Sequence, residues 1–114
     1  MQTSDDTLQA SSPTVQPDLT HARFPLGQLA ATPGVLALLE QHRVSLFDLL
    51  ARHASGVDWG DVGTEDARAN DQALIHGSRL LSCYTLVPGN PDTRVWIISE
   101  ADRSVTTALK PSEY

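Results

Sequence analysis

The sequence predicts an α+β fold, with two to three short N-terminal helices packed on a three- to four-stranded antiparallel sheet. Two patterns carry this reading. Between Thr32 and Gly77 the apolar residues recur at helical offsets of three and four, and after Gly77 they alternate in short runs rich in branched, aromatic and threonine residues. A third observation limits the size of the core. The chain has 114 residues, 40% hydrophobic but only 5% aromatic, so one domain built mostly from Leu, Val, Ile and Ala is expected.

Residues 1–23 mix Ser, Thr, Asp and Gln with scattered Leu and Val, which buries too little apolar surface to offset ordering entropy, and they are expected to form a disordered tail. They lack the charged start and apolar segment of a secretory signal, and their acids argue against a mitochondrial presequence. A single domain is expected over 24–114. FPLGQLAAT, from Phe24, alternates enough to form a short strand. Thr32 then caps a helix opened by Pro33, with Val35, Leu38, Leu39 and His42 on one face and Arg43 at its end. Ser45 caps a second, in which Leu46, Leu49, Leu50 and His53 fall at offsets zero, three, four and seven.

The loop ASGVDWGDVGT follows, turn-rich around Trp59. Thr64 is expected to cap a third helix with Glu65 and Asp66 at its positive end, a stripe of Ala67, Leu74 and Ile75, and Gly77 as its left-handed stop. RLLSCYTLV, RVWIIS and SVTTAL, separated by PGNPDT and EADR, read as a three-stranded meander. Leu81, Cys83 and Thr85 share one face of the first strand, and Trp96 and Ile98 share one face of the second, opposite Val95 and Ile97. Trp59 and Trp96 are both expected to be buried, Trp96 on the inner face of the sheet. Pro111 stops the last strand.

Fourteen acids against seven arginines and Lys110 give a formal charge of -6, and removing the three acids and one arginine of 1–23 still leaves -4. A broad phosphate-binding surface is therefore disfavoured. The single Cys83 excludes an intrachain disulfide or a cysteine-based zinc site, and no apolar run approaches a membrane span. A soluble protein of a reducing compartment, the cytoplasm, is expected, with no metal and no cofactor.

From FPLGQ onward the chain resembles a family of small proteins encoded on bacterial plasmids, phages and other mobile elements, called plasmid-related proteins or labelled type I restriction subunits. The resemblance rests on FPLGQ and ATPG (24–34), ARH with SGVDWGD (51–61), GSRLLSCY (77–84), and WIISEADRSVTT with PSEY (96–114). Val57 interrupts the family's SGDWG, and Ser99 stands where Thr is usual. The resemblance implies a mobile-element setting. At the level of architecture, helices before an antiparallel sheet with a helical His are also similar to the barnase, EndoU and colicin-type ribonucleases found in toxins.

Three groups of residues could carry chemistry. His53, near a helix end, is a candidate acid or base, though the reading as a core histidine whose nitrogen caps a carbonyl is preferred. Asp58, Trp59 and Asp61 could hold a cation, or simply anchor the loop. Arg79, Ser82, Tyr84, Glu100, Asp102, Arg103, Thr106 and Thr107 could form a polar cluster whose arginine forks take a phosphate or carboxylate, or could pair locally to close the turn. Cys83 reads as a small buried apolar residue, and neither His42 nor His76 has partners at metal-ligand spacing.

Two functions follow. A metal-independent ribonuclease-like protein would use His53 as base or acid, Arg79 and Arg103 to stabilise phosphate charge and Thr106 or Tyr84 to orient the substrate; His53, Arg103 and Thr106 are thus the candidate catalytic residues, and Arg79, Tyr84, Trp59, Asp61 and Asp102 the candidate binding residues. A non-catalytic accessory protein would instead bind another protein, such as a restriction or CRISPR complex, offering acids such as Glu65, Asp66, Asp71 and Asp61 to a basic groove. The second asks for fewer unobserved features and is preferred. An exposed sheet edge also permits a homodimer.

Overall fold

The computed structural model describes residues 17–114. The disordered-tail expectation for 1–16 lies outside the described residues. Within residues 17–23, a turn at Thr20 and His21 is held by Ala22 N–H on the Leu19 carbonyl, and Arg23 N–H donates to the Ala54 carbonyl at 2.8 Å.

The fold is α+β. Strand β1 (Gln28–Ala31) leads directly into α1 (Pro33–His42), then α2 (Leu46–Ala54) and α3 (Thr64–His76), followed by β2 (Leu80–Thr85), β3 (Arg94–Ser99) and β4 (Val105–Leu109). The sheet order is β1-β4-β3-β2. β2, β3 and β4 form the expected meander, but β1 pairs parallel to β4, with Gln28 opposite Val105 and Ala31 opposite Ala108, so the sheet is mixed rather than antiparallel throughout. The cause lies in the approach of the chain. Gly27, at φ 69°, lets the backbone press against the Arg103 and Ser104 carbonyls where any Cβ would collide, and Thr32 turns the chain straight into α1.

Thr32 accepts Val35 N–H at 3.1 Å and Ser45 accepts Phe47 N–H at 3.2 Å, so both expected caps form. Arg43 closes α1 in the left-handed region at φ 55°. The third cap is different: Gly63, in extended conformation, is the N-cap of α3, and no side chain caps that helix. The helix starts one residue early for Thr64 to serve. Its buried face also differs from the expected stripe. Asn70 and Ala73 are buried, Ala67 and Leu74 pack at the margin, and Ile75 is 73% exposed.

Val35, Leu39, Leu49, Leu50 and Ala54 from the helices meet Leu80, Tyr84, Val95, Ile97 and Ala108 from the inner face of the sheet. Trp59 is buried among them at 6% exposure. Trp96 is not: Val95 and Ile97 take the inner face, so strand alternation sends Trp96 outward, where it is half-buried. The expectation of an inner Trp96 is thereby corrected. No α-helix covers that outer face among the described residues, but the short 3-10 turn Pro111–Glu113 and Tyr114 lie against it, and Cys83, Ile98 and Leu109 on that face are buried.

The two sheet edges are unlike. On β2, Asn70 pairs with both backbone groups of Leu81, donating to its carbonyl at 2.7 Å and accepting its N–H at 3.1 Å. Cys83 is paired likewise by Trp59 and Asp61 of the loop, at 3.0 and 2.6 Å. Gly60, at φ 77°, permits that approach, since a Cβ would overlap the Cys83 carbonyl. Among the described residues, β1 has hydrogen-bond partners on its β4 side alone.

Candidate functional site

Helix α2 places His53 on its packed face, and the ring enters the space between helix and sheet at 0% exposure. Phe24 and Trp59 meet it edge-on, with centroids at 5.4 and 5.8 Å. Both ring nitrogens are engaged. Nδ1 lies 2.6 Å from Ser82 Oγ and Nε2 lies 2.9 Å from Ser99 Oγ. Ser99 Oγ lies 2.7 Å from Thr106 Oγ1, which donates to the Leu26 carbonyl at 2.7 Å.

The carbonyl fixes the direction of the chain as far as the ring, because it can only accept. Thr106 gives its proton to Leu26, so it accepts from Ser99. Ser99 in turn accepts from His53 Nε2–H. In the neutral ring Nδ1 is then the acceptor of the Ser82 proton. Burial, joined by the nearby Arg103 cation, pushes the His53 pKa down to about 3, which keeps that neutral form.

Arg103 sits beside this network, in the left-handed region at φ 59°. One terminal nitrogen donates to the carbonyls of Ser78 at 2.7 Å, Glu100 at 2.9 Å and Ala101 at 3.4 Å, and the other donates to Ala73 at 3.2 Å. Its guanidinium also lies 5.4 Å from the Phe24 ring centre. The cation therefore ties the C-terminal end of α3 to the β3–β4 turn, a favourable site for positive charge.

The other expected site residues are distributed around the molecule. Tyr84 is buried, its phenol donating to the Asp58 carbonyl at 2.7 Å while Arg52 lies 4.3 Å over its ring, and burial pushes its pKa up. Asp58 forms a two-pronged pair with Arg52 at 2.6 and 3.3 Å, which holds its carboxyl below the usual range. Trp59 N–H donates to Asp71 at 3.2 Å. Asp61 lies on the β2 edge, and Asp102 closes its turn by accepting Ser104 N–H at 3.0 Å. Arg79 stands apart on the outer face, 4.0 Å from Glu100 and 5.4 Å from the Tyr114 ring centre. Of the polar residues singled out in the sequence, His53 and Ser82 are joined directly, Thr106 is joined to them through Ser99, and Arg103 adjoins them.

Comparison of the chain with protein-family models, curated proteins and solved structures gave no match. Among the described residues, no group of three His, Cys, Asp or Glu side chains is arranged to hold a metal, and no helix is long and apolar enough to cross a membrane.

Sequence reasoning missed two features. Ser99 completes the proton chain, a role that its inner-face position opposite Thr106 would have signalled had the β3–β4 register been fixed. The outer face carries a groove of about 300 Å³ between Arg79, Leu81, Trp96, Ile98 and Tyr114. Tyr114 stacks edge-on against Trp96 at 5.6 Å. The outward alternation of Leu81, Trp96 and Ile98 was the available signal.

Proposed function

We propose that this chain is a small accessory protein of a bacterial mobile genetic element that works in the cytoplasm by binding another protein, a host restriction or CRISPR complex being the favoured class of target. The observation that carries the non-catalytic part is the state of His53: fully buried, with both ring nitrogens in hydrogen bonds. A general acid or base needs a ring nitrogen within reach of the substrate proton. Thr106 is equally buried, and the Arg103 fork is turned onto main-chain carbonyls, so the group expected to perform ribonuclease chemistry serves instead as internal support. The net charge of -6 favours a basic protein surface over RNA. The mobile-element setting rests on the sequence resemblance. Should a second copy bind, β1 offers the edge for it.

The test titrates purified protein into type I restriction and CRISPR effector complexes and follows DNA cleavage, with total RNA incubated in parallel at low salt. Stoichiometric inhibition with intact RNA is expected. RNA degradation that disappears in a folded His53→Ala variant would overturn the non-catalytic reading, and unaltered cleavage by all the complexes would remove the host-defence target.

A further inference from the structure

The outer face of the sheet differs in character from the rest of the molecule. Its strand positions are Leu81, Cys83 and Thr85 on β2, Arg94, Trp96 and Ile98 on β3, and Val105, Thr107 and Leu109 on β4, with no carboxylate among them. In a chain of net charge -6, the ionised side chains on or beside this strip are chiefly Arg79 at one end and Arg94 at the other. Acids stand at the rim: Asp61 lies beside Cys83 on the β2 edge, and Glu100 holds Arg79 only at 4.0 Å, with both side chains nearly half exposed, a contact worth little in water. The Arg79 fork is thus available to a better-placed carboxylate.

Size decides what kind of occupant fits. Four strands about 4.8 Å apart and four to six residues long present roughly 330 Å² of flat face, well short of the about 800 Å² per partner that a stable interface between globular proteins uses. A second copy would also bring another net charge of -6 against this one. A short segment meets neither obstacle. The groove beside Trp96 has the volume to receive one large apolar side chain, and its floor of Leu81 and Ile98 is apolar.

We infer that the outer face binds a short acidic, apolar peptide segment of the partner protein, with one large apolar side chain seated against Trp96 and Ile98 and carboxylates on Arg79 and Arg94. This rests on the protein-binding reading and gives it a surface distinct from the acidic loops. The two arginines lie at levels about six residues apart along β3, so the carboxylates they take are spaced by roughly 20 Å. Tyr114, 69% exposed, lies over one end of the groove and moves aside or packs on the incoming side chain.

The experiment selects a phage-displayed library of random dodecapeptides on the immobilised full-length chain and measures a synthetic copy of the best peptide by fluorescence anisotropy. Enriched sequences are expected to place a large apolar residue between Asp or Glu residues. Affinity is expected to fall at least tenfold in Arg79→Glu, in Arg94→Glu and in Leu81→Lys, and to change less than twofold in Arg68→Glu, which alters net charge equally from the exposed side of α3. Enrichment of basic or uncharged peptides, no enrichment, or equal loss in Arg68→Glu overturns the inference. Peptides that bind Arg79→Glu and Leu81→Lys undiminished overturn this surface while leaving protein binding intact, whereas ribonuclease activity would strike the underlying reading itself.

Discussion

A neutral histidine sealed between two serine hydroxyls makes stability depend on pH in a defined direction. In the unfolded chain His53 takes up a proton below about pH 6.5, whereas in the folded state it resists protonation down to about 3. Its folded pKa is the lower one, so its contribution to stability is complete above 6.5 and is lost as the pH falls from there towards 3. The loss is about 1.4 kcal/mol per pH unit over that window. Urea melts from pH 7.5 to 4 should show this slope. A His53→Gln variant, less stable at neutral pH, should show a shallower one, and equal slopes in the two proteins would remove His53 as the cause. Arg103 yields a second expectation at this scale. An exposed ion pair would be worth at most about 1 kcal/mol, but a guanidinium bonded to the carbonyls of Ala73, Ser78 and Glu100 is worth more. Arg103→Ala should cost about 2 to 3 kcal/mol in chemical denaturation. Arg103→Lys should recover less than half, because a single ammonium cannot span the separated carbonyls.

At the scale of elements, α1 and α2 were legible in the sequence because Thr32-Pro33 and Ser45 state where each begins, and local chemistry alone decides a cap. The strands were legible through alternation. The direction in which β1 pairs was not, since nothing in QLAA distinguishes a parallel neighbour from an antiparallel one. Likewise the burial of α3 turns on Asn70, which shares the helical face of Ala67 and Leu74 but whose polarity left it out of an apolar stripe. Asn70 faces inward because Leu81 on the outermost strand needs a donor and an acceptor, and a carboxamide offers both. Asn70→Ala leaves both backbone groups without that partner and should lower stability by about 2 to 4 kcal/mol. It should also make β2 available for pairing with other chains, visible as concentration-dependent dimers or aggregates in light scattering. A variant that stays monomeric and melts at the parent temperature would show that solvent or the 59–61 loop replaces the carboxamide.

For the whole molecule, the sequence indicated which residue types could form a site without showing which side of the fold each would reach. His53, Ser82 and Thr106 lie on separate elements and converge only because the β3–β4 register puts Ser99 opposite Thr106. Arg79, expected in the same cluster, lies on the opposite side of the sheet. The proton chain also has a consequence in time. Its members at 26, 53, 82, 99 and 106 span the described chain, and its last bond joins Leu26 to Thr106 across 80 residues. A ribosome makes β4 last, so a nascent chain that lacks Thr106 has helices and a hairpin available but no route for the Ser99 proton and no strand beside β1. Closing the core at that stage would bury unsatisfied hydroxyls, which disfavours compact intermediates during synthesis. Chains stalled behind a C-terminal linker long enough that residues up to about 100 have left the exit tunnel should therefore remain protease-sensitive, and protection should appear abruptly once β4 has emerged. Gradual protection beginning with the helices would mean that the N-terminal half folds without waiting for its closing strand.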